Sequence, residues 1–184
     1  YGRVIALDWL SGGSNNAMTF EILWPNFEAM WPLLKTPGGI ETQAMPATGL
    51  PLINTVILVV SSITLHFAHT GLEQNKRGQL KLMLLVTLLL GATFLALQVY
   101  EYIHAYRDLG LTLASGFYGN TFFLLTGFHG MHVTLGAIIL LFIFLRVLKG
   151  HFTPEKHFAF QAGAWYWHFV DVVWLCLYVF VYVL

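Results

Sequence analysis

A chain of 184 residues that is 57% apolar, 16% aromatic and only 10% charged holds less than half the charge of an average soluble domain, about 25%. With a mean hydropathy of +0.68, this excludes a soluble globular protein and leaves an integral membrane protein. Nine Lys and Arg offset nine Asp and Glu, so the charge gives no argument for a nucleic acid partner, and the single Cys176 excludes a disulfide framework and a cysteine-based zinc or iron–sulfur site.

Residues 1–51 contain five of the six prolines (Pro25, Pro32, Pro37, Pro46 and Pro51), with Gly12-Gly13, Asn15-Asn16 and Gly38-Gly39. That density breaks any long helix. Trp9, Trp24 and Trp31 stand among them, and tryptophan favours the membrane–water boundary because its ring is apolar and its N–H polar. The segment is expected to lie outside the membrane on its surface, with an ordered loop packed on a neighbouring protein as the alternative.

Residues 52–184 are expected to form the membrane bundle. A helix needs about 20 mostly apolar residues to cross the hydrocarbon, and the charge-free stretches supply them. The first span runs near Leu52–Thr70 and the second near Leu82–His104. Between Asp108 and Arg146 lie 37 uncharged residues, too many for one helix. Their start, Leu109 to Gly119, is glycine-punctuated and reads as a loop, which leaves a third span near Tyr118–Leu145. The fourth covers Phe158–Leu184, whose one charged residue is Asp171, with His168 a turn before it. No strand alternation occurs, which argues against a β-barrel. The expected fold is all-α, a polytopic transmembrane helix bundle with four spans.

The loop between the first two spans carries Lys76, Arg77 and Lys81, and the loop between the last two carries Arg146, Lys149 and Lys156. Four spans place these two loops on one side, which the positive-inside rule makes cytoplasmic. Both chain ends then lie outside. A chain that opens on Tyr1 in this orientation is expected to be the C-terminal part of something longer, preceded by an odd number of spans.

Polar residues inside the spans recur at i, i+3, on one helix face: His66/His69, Glu101/His104, His129/His132 and His168/Asp171. The midpoint of the third span falls next to His129 and His132, and that of the fourth falls on Asp171. An ionised Asp at the bilayer centre costs about 2.5–3.5 kcal/mol. Asp171 is therefore expected to face protein, within reach of the third span or of its own His168. His129, His132, His168 and Asp171 form a candidate buried polar set. A proton relay or ligand site is one reading, and hydrogen-bonded glue between helices, at about 0.6–2 kcal/mol per bond, is the other.

Haem ligation requires two histidines approaching one porphyrin from opposite faces, which i, i+3 partners on one helix cannot provide. His129 or His132 with His168, from different helices, could, but no paired histidines at long helical spacing and no haem-attachment cysteine motif are present. No catalytic, cofactor or metal ligand set is therefore assigned. Small residues at Thr126, Gly130 and Thr134 suggest close helix approach. At the end of the third span Arg146, Lys149 and His151 emerge together. They read either as lipid-phosphate contacts or as ordinary positive-inside anchoring.

Several runs carry a family resemblance. Ala164-Trp-Tyr-Trp-His-Phe-Val-Asp-Val-Val-Trp174, Tyr118-Gly-Asn-Thr-Phe-Phe, Thr126-Gly-Phe-His-Gly-Met-His132, His151-Phe-Thr, His157-Phe and Leu50-Pro-Leu-Ile-Asn-Thr55 resemble cytochrome c oxidase subunit III in order and spacing over about residues 40–184. The resemblance implies the last four helices of a seven-helix subunit, with Tyr1 just past the third. Segment 10–40 departs from the common form and resembles a bacterial variant of the outer loop. The resemblance further implies a redox-inert partner of catalytic subunit I and of subunit II in a bacterial aa3-type oxidase of the inner membrane. Haem and copper would then reside in the partners, and the chain would support proton uptake and the stability of the catalytic core. By the same resemblance Arg146, Lys149 and His151 match positions that contact phospholipid headgroups. A quinol oxidase subunit III is the near alternative, against which Trp165-Tyr166-Trp167 and His151-Phe-Thr favour the cytochrome c type. A haem- or metal-binding membrane enzyme is the alternative of another class.

Overall fold

The computed structural model describes residues 46–112 and 117–183, so the expectation for residues 1–51 lies outside the described residues save its last six. Four helices follow in order: α1, Leu50–Glu73; α2, Arg77–Asp108; α3, Phe117–Leu148; and α4, Phe158–Leu177, which continues as a π-helical segment over Tyr178–Val183. Among the described residues there is no β-strand. All four helices are long and apolar enough to cross a membrane; α1, with 24 residues, spans about 36 Å at 1.5 Å per residue. The all-α transmembrane bundle is thus the fold.

Helix ends overrun the expected spans. Charge marks the edge of the hydrocarbon, whereas a helix continues until its backbone is capped. Pro51 sits in the first turn of α1, where its missing N–H leaves nothing unsatisfied. The ends of α1 and α3 share one device. Asn75 (φ 56) and Gly150 (φ 75) adopt left-handed backbone, the conformation that Asn and Gly tolerate best. In the first turn the N–H groups of Asn75 and Lys76 donate to the carbonyls of Leu72 and Gly71, and in the second those of Gly150 and His151 donate to Val147 and Arg146. Both are Schellman closures, and both turn the chain sharply enough to begin an antiparallel neighbour.

The chain divides into two compact units. In the smaller one, the described residues are the last turn of α2, the turn through Gly110 and the first turns of α3; Leu111 N–H donates to Ala105 O at 3.0 Å, and the Phe122 and Phe123 rings meet edge to face. The larger unit, residues 46–104 with 124–184, holds the four-helix packing. Its core consists of Leu58, Leu65, Leu84, Phe94, Trp167 and Trp174, all with 1% exposure or less. About a third of each span's most apolar stretch is buried within the chain. The remaining apolar surface must meet lipid or other membrane subunits.

Candidate functional site: a polar seam and a basic turn

The seam begins from the aromatic run of α4. Helical spacing turns Trp167 and Trp174 inward and leaves Trp165 outside, 63% exposed. The Trp167 indole reaches all three other helices. Its Nε1–H donates to Ser61 Oγ on α1 at 3.0 Å. Its six-membered ring covers Gly91 on α2 and Gly136 on α3, where an added Cβ would stand 2.7 and 3.0 Å from ring carbons. Trp174 Nε1–H donates to Thr55 Oγ1 at 3.1 Å, and the Thr55 hydroxyl donates in turn to Pro51 O. Thr64 and Thr87 join α1 to α2 at 2.8 Å, and Tyr102 joins α2 to Thr126 on α3 at 2.6 Å. Every hydroxyl here is hydrogen-bonded, as buried polar groups must be. Such bonds act as glue where apolar contact alone gives little preference between helix and lipid.

Close approach follows other small residues than the spacing suggested. Thr126 is buried in the seam, but an added Cβ at Gly130 would meet nothing, and Thr134 is exposed, bonding its own helix at Gly130 O. The contacts instead occur at Gly136 against Trp167 and at Gly163 against Ile143.

The four candidate polar residues do not form one buried set. His129 is buried, and its Nε2–H donates to Val170 O on α4 at 3.2 Å. The ring lies 4.9 Å from the Trp174 ring and 5.8 Å from that of Phe94. His132, expected buried beside it, is exposed and donates from Nδ1 to Phe128 O of its own helix. His168 is half-buried and pairs through Nδ1 with Ser62 Oγ on α1. Asp171 is buried and faces Ser62 on α1, the serine that His168 also engages, although no hydrogen bond of full geometry closes on either carboxyl oxygen. One residue advances a helix by about 100°. With the Val170 carbonyl turned to α3, Asp171 falls on the α1 side. A second buried carboxylate, Glu101, stood in the sequence as half of the Glu101/His104 pair and was left out of the candidate buried set. It is 1% exposed and faces Tyr182 of the π-helical segment.

Arg146, Lys149 and His151 stand at the end of α3 and in the turn that follows it. All three are exposed, and the Schellman closure at Gly150 folds the chain back so that Phe152 lies beneath Arg146, with Cζ 4.7 Å from the ring centroid. Phe152 is itself buried against Phe160. Cation–π attraction of about 0.5–1 kcal/mol at an exposed site thus holds the guanidinium over a fixed ring, while Lys149 has no such support.

A family model for cytochrome c oxidase subunit III matches residues 18–184. The chain is 46% identical over 158 residues to cytochrome c oxidase subunit 3 of Homo sapiens, an alignment covering 86% of this chain and 57% of the relative. It is 45% identical over the same length to that of Loxodonta africana, with the same coverage. Against that of Spodoptera frugiperda it is 47% identical over 133 residues, or 72% of this chain and 88% of the relative. The chain spans a little over half the length of the mammalian relatives. The inward-facing Trp167 and Trp174, the His129 contact and the Arg146 turn all lie within the matched residues. This chain belongs to the cytochrome c oxidase subunit III family.

Proposed function

We propose that the chain serves as the redox-inert subunit III of a bacterial aa3-type cytochrome c oxidase, seated in the inner membrane against catalytic subunit I and subunit II. Haem and copper reside in those partners and none in this chain. The carrying observation is the family match over residues 18–184. The bacterial setting rests only on the resemblance of segment 10–40 to a bacterial variant of the outer loop. The basic loops face the cytoplasm and both chain ends the periplasm, in keeping with the positive-inside rule.

In this role the chain supports proton uptake and protects the catalytic core during turnover, and it holds structural phospholipid. Arg146 offers a planar fork that matches two phosphate oxygens, Lys149 a mobile point charge, and His151 a third donor beside them. Charge-assisted bonds of this kind are roughly twice as strong as neutral ones. The test is purification of the tagged chain from its own membrane in mild detergent. The reading requires haem-bearing oxidase subunits to co-purify, and the chain dissociated from them to show no Soret band. A Soret band that follows the isolated chain overturns it.

A further inference from the structure

Where the turn after α1 meets the start of α4, three metal-ligating side chains converge. His69 and Glu73 are i, i+4 neighbours on the last turns of α1, with His69 Nε2 3.7 Å from Glu73 Oε1. His157 is the cap residue immediately before α4. One ligand atom from each of the three lies within 4.8 Å of the others. Four-coordinate zinc, with bonds of about 2.0–2.1 Å to imidazole and carboxylate, sets its ligand atoms about 3.3 Å apart. Closing from the observed spacing needs a movement on the order of 1 Å. Glu73, with 56% of its side chain exposed, is free to make it.

Two further observations point to a ligand. His69 Nε2 and His157 Nδ1 are both buried and have no hydrogen-bond partner, although a buried ring nitrogen ordinarily finds one. The His69 ring is also fixed between neighbours, 5.6 Å from His157 and 5.5 Å from the buried Phe160. Its orientation is thus set before any ion arrives, as good metal sites require. We propose that His69, Glu73 and His157 bind a divalent transition cation of the zinc class, with a fourth position open to water. Two imidazoles and one carboxylate suit Zn2+ over Mg2+ or Ca2+, which favour all-oxygen sites. From sequence no metal ligand set is expected anywhere in the chain, His69 included, and the proposed site departs from that expectation. Bound here, the ion ties the α1–α2 turn to the start of α4 from the side that carries the basic loops. Lys76, Arg77 and Lys156 in those loops oppose the ion's charge, so the affinity is moderate.

The experiment uses the detergent-purified membrane complex that contains the chain, washed free of adventitious metal and titrated with ZnCl2. Bound zinc is read by equilibrium dialysis with elemental analysis. The unaltered complex should hold one more Zn2+ than His157→Ala or His69→Ala complexes of the same subunit composition. Glu73→Gln should bind the same ion about 10-fold more weakly, and His157→Cys, which keeps a ligand, should retain it. Should His69→Ala fail to assemble, His157→Ala and the exposed Glu73→Gln decide the matter. Equal stoichiometry and affinity in the unaltered complex and in His157→Ala overturns the proposal. The readout is zinc content, so it stands or falls apart from the oxidase reading.

Discussion

The inner face of α4 and the turn that closes α3 use the same residue classes, aromatic, glycine and basic or hydroxylic, to opposite ends. On α4 the aromatic Trp167 is enclosed by glycines of two helices and a serine of a third, and its polar atom is consumed within the chain. In the turn the aromatic Phe152 is the buried support, glycine supplies the left-handed bend, and the polar atoms of Arg146 and Lys149 are left outside. The first arrangement has no degree of freedom to spare. The second is a scaffold for something else. Changes to the seam should therefore cost assembly, and changes to the turn should cost only what the turn holds.

The sharpest break in the seam is a side chain where none fits. An added Cβ at Gly163 would stand 2.4 Å from Ile143 Cδ1, and one at Gly91 would stand 2.7 Å from the Trp167 ring. Gly91→Leu has only an indole locked on three sides to push against, and overpacking of this sort costs about 1–3 kcal/mol or more. We expect the Gly91→Leu chain to be missing from the purified complex, measured as subunit stoichiometry on a gel. Gly130→Leu, at a glycine with open space around it, should assemble normally. Normal assembly of both would show that the seam tolerates slack.

A smaller effect separates two tryptophans of one run. Trp167→Ala removes the indole from its enclosure together with the Ser61 bond, and large-to-small core changes of this kind cost on the order of 3 kcal/mol. Trp165, two residues earlier, is 63% exposed, and Trp165→Ala should leave the complex intact. The thermal midpoint of the detergent-solubilised complex is the measurement. A larger loss at Trp165 than at Trp167 would mean that partner contacts, and not the intrachain seam, fix α4.

Much of this fold was legible in the sequence because hydrocarbon imposes a simple code. Charge-free stretches found four helices, and the two basic loops, placed on one side by counting, do meet: His69 of one end lies 5.6 Å from His157 of the other. The polar pairs were less legible. Residues at i and i+3 differ by about 60° around the axis, enough for the border of a packing stripe to fall between them. It does so on α3, burying His129 and exposing His132, and on α4, where Asp171 is enclosed and His168 only half so. Spacing says that two residues are neighbours, but only a third helix decides which one it covers. The His69, Glu73 and His157 cluster was out of reach for the same reason. Its i, i+4 half is visible in sequence, but the third ligand arrives through tertiary folding.

Asp171 tests the border from the inside. A buried carboxyl without an intrachain hydrogen bond of full geometry should cost about 1–3 kcal/mol. Asp171→Asn keeps the shape and half the acceptor capacity, and Asp171→Val removes the polar group. If the side chain is unsatisfied in the assembly too, Asp171→Val should hold or raise the thermal midpoint relative to Asp171→Asn. A fall of several degrees in Asp171→Val would place a partner's hydrogen bond on this residue.

The smallest structural effect, and the most specific chemical one, belongs to the basic turn. Arg146→Ala removes an exposed side chain that rests on Phe152 at 4.7 Å, so the helix end keeps its closure at Gly150 and the subunit should assemble with an unchanged midpoint. On the proposed lipid-holding role, what changes is the lipid. Arg146 presents fixed paired donors to a phosphate, while Lys149 adds a mobile charge worth about 1 kcal/mol near an anionic surface. Retained phospholipid per complex, measured by mass spectrometry, should fall most in Arg146→Ala, recover in part in Arg146→Lys, and fall least in Lys149→Ala. The initial turnover rate should stay close to that of the unaltered enzyme, while activity decays sooner over repeated turnovers. Phe152→Leu offers an independent check, because it leaves every charge in place and removes only the ring under the guanidinium. If Phe152→Leu lowers lipid retention, it is the posed geometry of Arg146 that holds the headgroup. If lipid content is unchanged in Arg146→Ala, the turn is an ordinary positive-inside anchor, and its cation–π contact serves the helix end alone.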